Sequence, residues 1–128
     1  MKQTVTCKIE ITPSPDEIVW NIVLTEAAAF EAAILLSTLN QGKLPQVRFA
    51  DKSRTAVIRC TPEGNFLILT KSRCKTQIPV TKSWPEELSG DLMYAYATGG
   101  ANPVCVDQVF CDQNGSLRIT IRVAPSAQ

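Results

Sequence analysis

Val47-Arg-Phe-Ala-Asp-Lys-Ser-Arg-Thr-Ala-Val-Ile-Arg-Cys-Thr-Pro-Glu-Gly-Asn-Phe-Leu-Ile-Leu-Thr70 reads as three short apolar runs separated by two turns. Asp51-Lys-Ser-Arg54 is polar and brief. Thr61-Pro-Glu-Gly-Asn65 places proline where a turn needs φ near −65° and glycine where it needs a positive φ. After the short turn Lys71-Ser-Arg73, Cys74 to Val80 supplies a fourth run. Connections this short join antiparallel neighbours, so the stretch predicts four consecutive strands folded as hairpins.

Each side of this block carries one helix and one hairpin. Upstream, apolar and polar residues alternate from Thr4 to Ile11, the breaker Thr12-Pro-Ser-Pro-Asp16 follows, and Ile18 to Leu24 forms a second strand. Thr25 is a good N-cap, Glu26 complements the helix dipole, and an Ala- and Leu-rich run reaches Leu39 before Asn40-Gln-Gly42. This helix is predicted to bury Ala27, Phe30 and Ile34. Downstream, Trp84-Pro-Glu-Glu-Leu88 opens a second helix with a stripe of Leu88, Leu92, Ala95 and Tyr96 running to Gly99-Gly100. Val104 to Phe110, the turn Asp112-Gln-Asn-Gly-Ser116 and Leu117 to Val123 close the chain as a hairpin.

The order is therefore ββαββββαββ, an α+β domain over residues 1–128 with antiparallel sheets covered by two helices. Ile22-Val-Leu-Thr25 and Ile78-Pro-Val-Thr81 precede the two helices in the same way, which suggests two ββαββ halves, 1–61 and 65–124. Trp20, with Ile18, Ile22 and Leu24 on its side of the strand, is expected in the core. Trp84, beside a proline at a helix start, is expected to be partly exposed and to contact a partner.

The formal net charge of +1 conceals a segregation. Between Lys43 and Lys82 nine basic residues stand against two acids, a net of +7, and the flanks together are −6. A field of one sign on one region favours a polyanionic partner. Arg48, Lys52, Arg54, Lys71, Arg73 and Lys75 fall on the four central strands and their turns, where a groove of basic hairpin tips and one strand face suits a phosphate backbone. Phe49, Phe66 and Trp84 are the only aromatic residues near these strands, which points to electrostatic, weakly sequence-selective binding.

Other chemistry is poorly provided for. The chain has no histidine, so a Ser-His-Asp arrangement is impossible, and Ser72 beside Lys71 points to the opposite face of a strand. Glu86, Glu87 and Asp91 read as dipole complements, and Gly99-Gly100 lacks the Lys-Ser/Thr of a phosphate loop. Five cysteines without a CxxC pair read as reduced, buried thiols rather than metal ligands, with a Cys105–Cys111 disulfide as the alternative in an exported protein. No apolar run is long enough to span a membrane and no secretory signal is evident, which implies a cytoplasmic protein without membrane, metal or cofactor.

Val47 to Val80 followed by Trp84 to Ala97 resembles the Whirly proteins and related single-strand-binding coactivators, whose units are four antiparallel strands and a helix. The remaining elements supply the other half only in a circularly shifted order. The duplicated helix-and-hairpins unit is also similar to a DNA sliding-clamp domain, one too small to encircle a duplex alone. The expectation is a non-enzymatic protein that binds single-stranded DNA or RNA, as a dimer if its sheet edges pair. The alternatives are an interaction module whose basic strands dock an acidic protein, and a small-ligand pocket between sheet and helices.

Overall fold

The computed structural model describes residues 3–13, 15, 17–98, 106–112 and 115–124, with 106–112 and 115–116 given by their backbone alone. Its elements are β1 (Thr4–Thr6), β2 (Lys8–Pro13), β3 (Glu17–Leu24), α1 (Glu26–Asn40), β4 (Gln46–Ala50) and β5 (Arg54–Thr61). They continue with β6 (Gly64–Lys71), β7 (Cys74–Val80), α2 (Trp84–Ala97), β8 (Val106–Asp112) and β9 (Gly115–Val123). The fold is α+β. One sheet has five strands in the order β1-β4-β5-β6-β7, the other has four in the order β2-β3-β9-β8, and residues of both sheets and both helices share one apolar core.

Strands β4 to β7 form the antiparallel meander that their turns dictate. Thr61 pairs with Gly64 across Pro62-Glu63, with Gly64 at φ 143, and Lys71 pairs with Cys74 across Ser72-Arg73, with Ser72 at φ 56. Two other joins are parallel, β1 with β4 and β3 with β9, where the hairpin pattern predicts antiparallel pairing alone. Both connect strands far apart in sequence, a join that no local turn encodes. The halves 1–61 and 65–124 meet antiparallel through β5 and β6 but parallel through β3 and β9, so their two seams are not equivalent. The second sheet is two hairpins joined side by side, not the four-strand meander of a Whirly-like unit.

The predicted strand from Thr4 to Ile11 is two strands in different sheets. At Cys7 the chain leaves β4, held by the Cys7 N–H donating to the Ala50 carbonyl at 3.0 Å, and turns into β2. Val5 and Ile9 are buried, and Cys7 and Ile11 pack against the same core, so the alternation continues unbroken through the corner. Periodicity cannot register a change of sheet when both sheets share a core.

Thr25 caps α1 as its sequence implies, its Oγ1 accepting from the Ala28 N–H at 3.1 Å. At the other end Gly42 takes φ 78, and the Gly42 and Lys43 N–H groups satisfy the Leu39 and Thr38 carbonyls. The buried face differs from the predicted one. Ala29, Ala32, Ala33, Leu35, Leu36 and Leu39 face the core, whereas Ala27 is exposed and Phe30 and Ile34 are 40% and 46% exposed. An almost uniformly apolar helix carries little directional signal, and the small alanines sit inward because α2 packs closely there, with Ser89 Oγ donating to the Ala33 carbonyl at 2.6 Å.

Trp20 is in the core as expected, but Ile18, nearer the strand end, is exposed. Trp84 is buried at 4% exposure, which overturns its expected role as a partner contact. With Pro85 it plugs the first turn of α2 into the core, and Leu88, Leu92 and Ala95 continue that face. Cys7, Cys60 and Cys74 are free thiols, whereas Cys105, the Cys111 side chain and Gly99-Gly100 lie outside the described residues. Among the described residues no helix is long and apolar enough to cross a membrane.

Candidate nucleic-acid interface

Side chains of a sheet alternate between faces, so the pairing register sorts the central strands without ambiguity. Val5, Val47, Phe49, Ala56, Ile58, Leu67 and Leu69 point into the core. The opposite face presents three rows across the sheet. One runs Gln46, Arg59, Phe66, Pro79, the next Thr4, Arg48, Val57, Ile68, Gln77, and the third Thr6, Ala50, Thr55, Thr70, Lys75. This surface carries Arg48, Arg59 and Lys75, all exposed, and no acidic residue. Val57 is buried outside the main core because its row neighbours Arg48 and Ile68 cover it.

Arg59 and Phe66 are cross-strand partners, so a guanidinium and an aromatic ring lie about 5 Å apart at their Cβ atoms. Arg59 is oriented by its neighbour: Nε and Nη2 donate to Gln46 Oε1 at 3.2 and 2.9 Å. Arg48 is its diagonal neighbour, roughly 7 to 8 Å away at the backbone. Within a screening length of about 10 Å these two charges act as one field. Phe49 and Trp84, the other aromatics near the basic strands, are buried and offer no platform, whereas Phe66 is half-buried, with part of its side chain open on the basic face.

The six basic residues singled out in the sequence are divided by the fold. Arg48 and Lys75 stand on the outer face, and Lys52 and Arg73 occupy the β4–β5 and β6–β7 turns, which lie at the same end of the sheet because Arg54 pairs with Lys71. Arg54 and Lys71 have the core-side parity, Lys71 exposed beyond the core's edge. Arg54 is committed to the corner: its Nη1 donates to the Ile9 carbonyl at 2.8 Å and lies 3.6 Å from Asp51. Arg59 was not among the six, since a single arginine within an apolar run reads from sequence as a gatekeeper, and only the register shows it opposite Phe66.

Asp51 is the acid of the β4–β5 turn, and it is engaged. Its Oδ1 accepts from the Ser53 and Arg54 N–H groups at 3.0 and 2.8 Å. Partial burial works to raise the Asp51 carboxyl, but those hydrogen bonds and the Arg54 charge prevail and hold it below its usual value. Beside it an open groove of about 720 Å³ is lined by Thr6, Cys7, Lys8 and the 50–54 turn. Burial and the Asp51 charge push the Cys7 thiol up to about 11.

The other surfaces lack this character. On the outer face of the second sheet Glu17 pairs with Arg118 at 3.3 Å, Lys8 pairs with Glu10 at 2.9 Å, and Thr120 hydrogen-bonds Asn21. Neither helix has a lysine or arginine, so the helix pair of a clamp-like reading has no phosphate ligands to present. Among the described residues no cluster of His, Cys, Asp and Glu has the makings of a metal site. Compared with known proteins, the chain matches no family model, no curated protein and no solved structure.

Proposed function

We propose that this is a non-enzymatic protein that binds single-stranded DNA or RNA across the outer face of its five-stranded sheet. The observation that carries this reading is a sheet face with Arg48, Arg59 and Lys75 and no acid, with Phe66 beside Arg59. A guanidinium offers a planar fork to phosphate oxygens, and each phosphate neutralised releases condensed counterions. An adjacent ring accepts the face of any base, which suits a single strand because a duplex keeps its bases stacked inside. Lys52 and Arg73 at the turn end extend the path of the backbone. The threonines and glutamines between the charges supply sequence-independent hydrogen bonds to sugar and phosphate.

The test is titration of a fluorescent oligonucleotide at several salt concentrations. Replacing Arg48, Arg59 and Lys75 together with glutamine lowers affinity and flattens the plot of log affinity against log salt by about 0.7 per residue removed. Phe66→Ala weakens binding by about 1 to 3 kcal/mol with the salt slope unchanged. Binding that is absent from the wild-type protein at low ionic strength, or unaltered in the triple variant, refutes the proposal.

A further inference from the structure

β7 is an edge of the five-stranded sheet, and its open side is a template for one more strand. Lys71 and Cys74 flank a two-residue turn, so they exchange both backbone hydrogen bonds, and the bonding alternates along the hairpin from there. Cys74, Thr76, Ile78 and Val80 turn their backbone groups to β6. Lys75, Gln77 and Pro79 turn theirs away from it. Pro79 agrees with that assignment, since a proline is tolerated in a sheet where no ladder hydrogen bond needs its nitrogen. The open side therefore offers N–H donors at Lys75 and Gln77 and carbonyl acceptors at Lys75, Gln77 and Pro79.

No described strand lies against that side. Cys74, Lys75, Thr76, Gln77 and Pro79 are exposed, and the exposure of Thr76, which has core-side parity, shows that the core stops short of the edge. Ile78 and Val80, half-buried, mark where it ends. Charge decides what fits. From Gly64 to Pro85 the chain has no acid, and Lys71, Arg73, Lys75 and Lys82 stand on β7 or within three residues of it, all exposed. Among the other edges, β1 has three residues, and β2 and β8 carry Glu10, Asp107 and Asp112. A second copy paired on β7 would bring its own four cations to the same seam, and lysine and proline on an edge strand act against such self-pairing. The same lysine admits a strand that carries acids.

We propose that β7 takes up an acidic extended segment of another protein as an antiparallel sixth strand, with a carboxylate opposite Lys75 and an apolar residue beside Ile78. This is recognition by strand addition: main-chain hydrogen bonds to Lys75 and Gln77 give affinity, and the alternating side chains give specificity. Opposite charges across a strand pair favour it, and like charges oppose it. The carboxylates of such a strand reach the rim of the basic face, so the segment and a nucleic acid compete for Lys75, although the inference does not rest on nucleic-acid binding.

The probe is a peptide of about eight residues in which valine and glutamate alternate. Paired antiparallel with a glutamate opposite Lys75, it bonds β7 through the N–H groups of its glutamates. N-methylation of the glutamates therefore abolishes binding, and N-methylation of the valines, at the same charge, does not. The parent peptide binds one-to-one and slows hydrogen exchange at the Lys75 and Gln77 amides, and a Val/Lys peptide does neither. Gln77→Pro removes one open donor at a site equivalent to Pro79, and Lys75→Glu reverses the charge. Each raises the Kd about tenfold, with the melting temperature near that of the parent. The proposal is overturned if the parent peptide fails to bind, if the Val/Lys or glutamate-methylated peptide binds as well as it does, if both variants bind it unchanged, or if protection falls on another edge. Protection of Lys75 and Gln77 that rises with protein concentration in the absence of peptide also overturns it, since the edge then belongs to a second copy.

Discussion

Arg54 and Arg59 lie on the same strand and do opposite jobs. Arg54 bridges the Ile9 carbonyl and Asp51 at the corner between the sheets, and its Nε is buried without a partner. Arg54→Gln is expected to lower stability by about 1 to 3 kcal/mol, read as a fall in melting temperature, while the salt slope of oligonucleotide binding stays near that of the parent. Arg59→Gln is expected to leave melting unchanged and to lower the slope. In the sequence the two are alike, basic residues at the ends of one apolar run, because nothing local tells a side chain that a distant carbonyl waits for it. Cys7 at the same corner gives a pH signature. Its thiol, raised to about 11 from 9.0, keeps its proton in the folded state after the unfolded chain has lost it. Stability is therefore expected to fall as pH rises from about 9 to about 11, and urea melts of Cys7→Ala should show a shallower fall across that window.

At the scale of elements, α1 and α2 separate what patterning reveals from what packing chooses. The existence and ends of α1 were legible in Thr25, Glu26 and Gly42, each acting through its own backbone neighbours. The buried face was not, because apolar residues occupy most of the helix surface and the choice fell to the fit against α2. Leu36→Ala is expected to cost about 2 to 5 kcal/mol, since Leu36 is fully buried, and Phe30→Ala less than that, since its side chain is 40% exposed. Chemical denaturation of the two variants side by side measures the difference, and equal losses would restore Phe30 to the core. Gly90→Ala should stabilise α2 by about 1 kcal/mol, because the added methyl meets open space and removes backbone freedom from the unfolded chain. A lower melting temperature for that variant would mean that the space beside Gly90 is filled in solution.

The whole molecule is held by seams between distant segments. β9 lies between β3 and β8 at the centre of its sheet, and β5 pairs with β6 across the boundary of the halves. A fragment of residues 1–61 therefore lacks one neighbour of β3, β9, and one of β5, β6, and circular dichroism is expected to show it largely unfolded. A cooperative melt from that fragment would mean that the halves fold independently. By itself the sequence determined the α+β class, the four central strands with their turns, both helices and the concentration of positive charge on the meander. All of these follow from short-range physics: alternation, capping, turn geometry and the sign of side-chain charge. Tertiary structure alone decided that Thr4 to Ile11 serves two sheets, that β3 and β9 pair in parallel, that Trp84 is buried and Phe30 is not, and that Arg54 turns to the corner. Each of those outcomes is a contact between residues far apart in the chain. Its partner is chosen by the fit of the assembled core, and no local pattern of residues carries that information.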